Sequence, residues 1–116
     1  MMLFDAMDDN GHGTHVAGII ASQGLKYRGI SYDVSLMAAK VLDSGGSGNI
    51  SDVILGINWC VDQGADVINL SIGEGLYSGA CDYNTMAATV NDAVDAGVVT
   101  VCASGNDGDP SHMVSP

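Results

Sequence analysis

Basic residues, prolines and aromatic side chains are scarce in this 116-residue sequence. Three Lys and Arg accompany fourteen Asp and Glu, which gives a net charge of −11. A chain this acidic is repelled by phosphate backbones, so the charge excludes nucleic acid as a partner and disfavours an anionic membrane surface. With 47% hydrophobic residues, 16 Gly and only 2 Pro, the composition is typical of a globular chain of one domain or less.

Long apolar runs are also absent. No run reaches the roughly 18 residues that cross a bilayer, and the opening residues MMLFD lack the cationic and apolar parts of a secretory signal. The acids are spread along the chain without a D-x-D-x-D-G loop, which excludes a calcium-hand site. A solvated surface, another calcium site and adaptation to high salt stay open as explanations.

Three cysteines are too few for a disulfide framework. Cys60, Cys81 and Cys102 cannot all pair with one another, and their spacing matches no zinc signature. Small buried apolar side chains are the favoured interpretation. A Cys60–Cys81 or Cys81–Cys102 bridge stays open.

Helical and strand patterns alternate along the chain. Apolar residues recur at helical spacing over 11–23, 51–63 and 84–96, and apolar runs of strand length cover 34–42, 66–72 and 98–103. The order helix, strand, helix, strand, helix, strand predicts an α/β fold with a parallel sheet and right-handed crossovers. Both faces of the last strand are expected to be covered, because its residues do not alternate in polarity. The chemistry of such sheets gathers at the strand ends.

The predicted helices carry start and stop signals. Asn10 and Ser51 are plausible N-caps, and Gly64 and Gly97 are plausible stops.

The segment Asn10-Gly11-His12-Gly13-Thr14-His15 places two histidines at the start of the first helix. The positive end of the helix dipole disfavours the imidazolium, so a histidine there stays neutral and can act as a general base. Two polar residues at a helix cap, or a metal pair, are the alternatives. The metal pair is disfavoured because HxxH lacks the usual i+4 spacing and the Glu.

Small residues follow the predicted strands. The amide of Asn106, after Ala103, Ser104 and Gly105, is a donor suited to a developing oxyanion, although a plain turn has the same composition. Ser71, Ile72 and Gly73 end one strand, and Gly46, Ser47 and Gly48 follow another. A glycine-rich strand end can pair with an extended peptide or serve as a flexible loop. Neither phosphate-binding glycine motif is present.

Together, the segments NGHGTHVAG, KVLDSGGSGNISDVILGINW, DVINLSIG and AVDAGVVTVCASGNDG closely resemble the subtilisin-like serine proteases in content, order and spacing. The resemblance covers nearly the whole chain. It implies a three-layer α/β fold with a parallel sheet, and an Asp–His–Ser triad that hydrolyses peptide bonds. A polypeptide would be the substrate, and an extracellular location is expected for the full-length protein.

The resemblance also implies roles for single residues. His12 matches the catalytic base, His15 a structural position, and Asn106 the side-chain donor of the oxyanion hole. Walls of the primary specificity pocket correspond to Ser71, Ile72, Gly73, Ala103, Ser104 and Gly105. The strand that pairs with substrate backbone corresponds to Gly46, Ser47 and Gly48, and Ile50 resembles a wall of a more distant pocket. Asp107 and Glu74 are expected near the specificity pocket, which favours a basic side chain there.

The chain departs from the family pattern at two triad positions. It contains no Gly-Thr-Ser-Met-Ala segment for the nucleophile, and Asp5, Asp8 and Asp9 lack the context of the triad Asp. Asp43 resembles that Asp but follows His12 in the chain, against the family order, so a loop role is expected. Residues 1–116 are therefore expected to be a partial peptidase domain, inactive alone, whose missing parts another chain supplies if the gene is split.

No cofactor or metal is expected in this chain. Calcium is conceivable in the full-length domain, but the loop Gln23–Gly29, with Lys26 and Arg28, replaces the segment that binds it in many relatives. A non-catalytic homologue that binds peptides through the glycine-rich edge is the alternative function. A metal hydrolase and a nucleotide-binding domain rank below both.

Overall fold

A computed structural model describes residues 6–78, 81 and 83–115. Three helices, α1 (His12–Ala21), α2 (Ile50–Asp62) and α3 (Thr85–Asp95), occur with four short strands, β1 (Val67–Leu70), β2 (Glu74–Tyr77), β3 (Val99–Cys102) and β4 (Met113–Ser115). The chain forms two compact units, residues 1–49 and 50–116. Helices joined to a parallel sheet confirm the predicted α/β fold.

The first unit is built around α1 and the turns that follow it. Ser22 N–H donates to the carbonyl of Gly18 and closes the helix. Gly29 then returns the chain to the helix end, where an added Cβ would lie 2.6 Å from backbone atoms of Ile20 and Ala21. Only glycine permits this approach. No side chain of α1 is buried, and Ile19 is 57% exposed.

The second unit pairs β1 and β3 in parallel, with Val67 opposite Val99 and Leu70 opposite Cys102. Both preceding helices end as predicted at a glycine with positive φ, Gly64 at +78° and Gly97 at +93°. The residue after each glycine donates a backbone hydrogen bond to a carbonyl of the preceding helix. Ala65 N–H donates to the Cys60 carbonyl, and Val98 N–H donates to the Ala93 carbonyl. These bonds satisfy carbonyls at the helix end that have no partner within the helix.

The core of the second unit lies on one face of this sheet. Its buried apolar residues come from α2, α3, the parallel strands and the residues just before them: Val53, Ile57, Ala65, Ile68, Leu70, Met86, Ala87, Val90, Ala93 and Val98. On the opposite face Val67, Val99 and Val101 are half exposed or more. The expectation that both faces of the last strand are covered is therefore wrong for the described residues, where α2 and α3 pack on one side only. Val94 of α3 is also half exposed.

Some local predictions differ from the structure. No strand is assigned to residues 34–42, where Val34, Leu36 and Met37 are exposed, because an apolar run becomes a strand only when it pairs with a neighbour. β2 and β4 instead form an antiparallel pair that was not predicted. Ser51 lies inside α2, which begins at Ile50, so it is not the cap. None of the described helices has the length and apolarity needed to cross a membrane.

Candidate functional site

His12 is the first residue of α1 and its side chain is exposed. Gly11 precedes it with a φ of +96°, a left-handed conformation that favours glycine. The backbone N–H of His12 donates a 3.2 Å hydrogen bond to Oδ1 of Asn10. Asn10 was predicted to cap the helix, but Gly11 occupies that position without a side-chain bond.

Asp8 holds the first turn of α1 together. Its carboxylate accepts from the backbone N–H groups of Asn10 (3.0 Å), Gly11 (2.8 Å) and Thr14 (2.8 Å), and from the Thr14 hydroxyl (2.5 Å). The Thr14 hydroxyl, followed by these N–H groups, holds the pKa of the Asp8 carboxyl well below its usual range. This capping role of Asp8 was not predicted from the sequence. The signal that could have shown it is an Asp placed three residues before the Gly-His pair that starts the helix.

The acids near His12 are engaged elsewhere. Asp8 binds the helix start, and Asp9 forms an ion pair with Lys40 at 2.9 Å. Asp43 Oδ1 accepts from the backbone N–H groups of Gly45 and Ser47, which is the loop role predicted for it. The His12 imidazole makes no hydrogen bond to another described residue. Asp5, the third acid of this end, lies outside the described residues.

A loop contains Gly46, Ser47 and Gly48, and hydrogen bonds of Asn10 connect this loop to the start of α1. The Asn10 amide donates to the carbonyl of Ser44 at 2.9 Å, while its oxygen receives the His12 N–H. One side chain therefore connects the turn that carries His12 to the candidate peptide-pairing loop. Gly48 packs so closely that an added Cβ would overlap the Val41 carbonyl oxygen and approach Leu42 at 2.8 Å.

Some backbone groups of residues 46–48, which were predicted to bind substrate, already form hydrogen bonds within the loop. The Ser47 carbonyl accepts from Asp43 N–H at 2.8 Å, and the Ser47 N–H donates to the Asp43 carboxylate. Gly46 N–H donates to the Asp43 carbonyl. Among the hydrogen bonds of the described residues, the Gly46 carbonyl and both backbone groups of Gly48 stay unused. Ile50, the distant-pocket candidate, is the first residue of α2 and is partly exposed.

In the second unit, the ends of β1 and β3 form a cavity. Because the strands are parallel and in register, residues 71–73 and 103–106 leave the sheet at the same edge, and Ala103 N–H still donates to the Leu70 carbonyl. The cavity has a volume of about 240 Å³ and is lined by Ser71, Ile72, Gly73, Ala103, Gly105, Asn106, Asp107 and Val114. Five of the six predicted specificity-pocket residues thus share one cavity. The sixth, Ser104, lines a neighbouring cavity of about 280 Å³ that shares Gly105 and Asp107.

Asn106 presents a free amide at this cavity. Its side chain is exposed and makes no hydrogen bond within the described part of the chain. The preceding Gly105 has a φ of +99°, which turns the backbone sharply after the strand. A side-chain N–H in this position can donate to an oxygen of a bound group.

The pair of β2 and β4 borders the cavities. Met113 lies opposite Tyr77, and Val114 N–H donates to the Ser104 carbonyl at 3.4 Å. Glu74, expected near the specificity pocket, lines neither cavity. Its carboxylate accepts from the Asn84 amide at 3.0 Å, while Asn84 caps α3 by accepting from Met86 and Ala87 N–H. Glu74 therefore joins β2 to a helix start.

A second group of Asp, Ser and His lies beside the larger cavity and was not predicted. Asp109 accepts from Ser111 N–H (2.9 Å) and Ser111 Oγ (2.6 Å), and contacts His112 Nδ1 at 2.7 Å. Ser111 Oγ lies 3.0 Å from the same ring nitrogen. In a catalytic triad the serine uses Nε2 and the acid uses Nδ1, so this group is a turn. The Ser111 hydroxyl, then its N–H and His112, lower the pKa of Asp109.

Metal ligands and thiols are the remaining candidates for chemistry among the described residues. They contain no group of three His, Cys, Asp or Glu side chains that could hold a metal ion, and residues 22–32 contain no carboxylate. Cys60, Cys81 and Cys102 are partly buried free thiols. Burial raises the pKa of Cys60 and Cys102, which disfavours the reactive thiolate.

Comparison with known proteins identifies one family. The sequence profile described as "Subtilase family" matches residues 4–116. The Minor extracellular protease Epr of Bacillus subtilis (strain 168) is 41% identical over 111 residues, which are 94% of this chain and 16% of that protein. Subtilisin DY of Bacillus licheniformis is 43% identical over 103 residues, 87% of this chain and 36% of that protein.

A solved structure agrees with these sequence matches. A cold adapted subtilisin-like serine proteinase matches with a TM-score of 0.73 at 36% identity, over 88% of this chain and 35% of that chain. The chain spans between 11% and 36% of the length of the curated relatives compared with it.

Proposed function

The chain belongs to the subtilase family, and from this premise we propose that it forms part of a serine endopeptidase domain that hydrolyses peptide bonds. The observation that carries the proposal is the cavity at the ends of β1 and β3. Residues 71–73, Ala103, Gly105 and Asn106, which match the family's specificity pocket and oxyanion hole, line it together. Other segments of the full-length protein would supply the nucleophilic Ser and the triad Asp.

In the proposed reaction, the hydroxyl of that Ser attacks the carbonyl carbon of the peptide while His12 accepts its proton. Asn106 donates a hydrogen bond to the oxyanion as the tetrahedral intermediate forms. His12 then passes the proton to the leaving amine, and the C–N bond breaks. Water releases the acyl group from the Ser by the same sequence, with His12 again accepting and returning a proton.

The substrate would bind as an added strand. The Gly46 carbonyl and the N–H and carbonyl of Gly48 are the loop groups unused within the described residues, and a peptide in extended form presents matching donors and acceptors. Both backbone groups of Ser47 bond to Asp43 within the loop.

The proposal is tested in the full-length protein by labelling with a serine-directed fluorophosphonate and by casein hydrolysis. We expect labelling and turnover, and a loss of about 10⁶ in kcat for His12→Ala, the size measured for the histidine of subtilisin itself. His15→Ala is the matched control, since it removes the second exposed histidine of α1, and it should retain activity within about tenfold. Asn106→Ala should cost about 10²–10³, again the value known from subtilisin.

Two results would contradict the proposal. Peptide binding without labelling or turnover would show a non-catalytic homologue. The 116-residue chain alone contains no Gly-Thr-Ser-Met-Ala segment and should be neither labelled nor active. Hydrolysis by the isolated chain that the fluorophosphonate blocks would overturn the assignment of the nucleophile to another segment.

For the full-length protein we also propose an extracellular location. The relative from Bacillus subtilis is described as an extracellular protease, which supports this. Recovery of the protein from washed cells alone, with none in the culture medium, would contradict it.

A further inference from the structure

The Asn10 side chain touches two segments that lie far apart in the sequence. Its Nδ2 donates to the Ser44 carbonyl at 2.9 Å, across 34 positions of the chain, and its Oδ1 accepts from the His12 N–H at 3.2 Å. Nδ2 also lies 3.6 Å from the position that a Cβ on Gly46 would occupy, so the amide packs against the candidate peptide-pairing loop itself. All of these residues belong to the first compact unit.

Each of the two segments is held by a carboxylate of its own. Asp8 binds backbone N–H groups at the start of α1, and Asp43 binds those of Gly45 and Ser47 in the loop. Both segments therefore keep their local shape, and a displacement of one passes to the other through the side chains that join them. The planar Asn10 amide, with a hydrogen bond at each end, is such a connection.

We propose that Asn10 is a positioning residue that links peptide binding at the loop to the placement of His12. The inference rests on the proposed function, because it needs His12 to be the general base and the loop to bind substrate. A peptide paired with Gly46 and Gly48 restrains the loop that contains Ser44. The Ser44 carbonyl then restrains the Asn10 amide, whose Oδ1 restrains the backbone of His12. Such placement matters to a general base, since an error of about 1 Å can cost about 10²-fold in rate.

The consequence is a kcat that depends on the length of the substrate. Binding energy from residues remote from the cut raises kcat when it is used to orient the reacting groups. A peptide long enough to reach the loop should therefore be cut with a higher kcat than a short one. Asn10 is exposed, and a neutral hydrogen bond contributes modestly, so we expect the long peptide to exceed the short one in kcat by about three- to tenfold.

The test measures kcat and KM of the full-length protein on a dipeptide and a pentapeptide p-nitroanilide that share the residues next to the cut. Asn10→Ser keeps an oxygen that can accept from the His12 N–H but is too short to reach the Ser44 carbonyl. It should bring the kcat ratio of the two peptides to about one and leave the dipeptide kcat within about twofold. Asn10→Ala loses both bonds and should lower the dipeptide kcat as well.

Asp9→Asn is the matched control. It breaks the 2.9 Å ion pair of Asp9 with Lys40, which also connects the start of α1 to the residues before the loop, but it leaves both bonds of Asn10 in place. It should leave the kcat ratio unchanged. The dipeptide rate reports whether each variant is folded and active.

The outcomes separate the two proposals. An active enzyme whose length effect is confined to KM, or an Asn10→Ser variant that keeps the rise in kcat, overturns the role of Asn10 and leaves the endopeptidase proposal intact. An equal loss of the rise in Asp9→Asn would show a general loosening of the first unit and would also overturn it. No hydrolysis of either peptide, with no fluorophosphonate labelling, overturns the endopeptidase proposal and the inference with it.

Discussion

Gly105→Ala tests whether the cavity wall is packed as described. Gly105 has a φ of +99°, and an added Cβ would lie 2.9 Å from Val114 Cγ1. The left-handed backbone alone costs an alanine about 1–2 kcal/mol. The contact with Val114, a branched side chain with little rotamer freedom, should add about 1–3 kcal/mol. We therefore expect a total loss of about 2–5 kcal/mol in the free energy of unfolding.

Gly97→Ala is the matched control. Gly97 has a similar φ of +93°, but no atom lies within 4 Å of its added Cβ, so only the backbone cost of about 1–2 kcal/mol applies. Urea unfolding of the 116-residue chain, followed by far-ultraviolet circular dichroism, gives both values. Losses that agree within about 0.5 kcal/mol would refute the packing of Val114 against Gly105.

Two further predictions concern the core and the start of α1. Ile57 is 2% exposed, so Ile57→Ala should cost about 2–5 kcal/mol of unfolding free energy, whereas Ile19→Ala should change it by about 0.5 kcal/mol or less; similar losses in urea unfolding would contradict this core. Because the Thr14 hydroxyl and nearby N–H groups lower the pKa of Asp8, its stabilisation of the helix start is present above about pH 4 and is lost as pH falls further. The Thr14 amide resonance should shift in that range, and Asp8→Asn should remove the shift; a resonance that does not titrate would contradict the described bonds.

Local signals made most of the second unit predictable. Gly64 and Gly97 end helices because their positive φ values suit glycine, whereas neither of the predicted N-caps, Asn10 and Ser51, occupies the cap position. The parallel pairing of β1 and β3 followed from helices placed between apolar strands. Because the strand ends are determined by the same spacing, the cavity that residues 71–73 share with Ala103, Gly105 and Asn106 could also be anticipated.

The remainder depended on contacts between distant residues. β2 pairs with β4, whose residues lie almost forty positions further along the chain, and neither strand has a strong apolar pattern. Residues 34–42 have that pattern but form no strand in the structure. Asp109, Ser111 and His112 come together through a turn. The sequence pattern predicts no role for His112, the third histidine of the chain.

The absence of Lys and Arg after residue 40 has a consequence for digestion by other peptidases. A peptidase that cuts only after basic side chains finds no cleavage point from residue 41 to residue 116, the stretch that contains the cavity residues. The sites it finds in this sequence are Lys26, Arg28 and Lys40, and the last of these forms an ion pair with Asp9. Digestion with such a peptidase should therefore leave the cavity residues in one fragment, and the first cuts should fall in the loop after α1, where Lys26 and Arg28 lie.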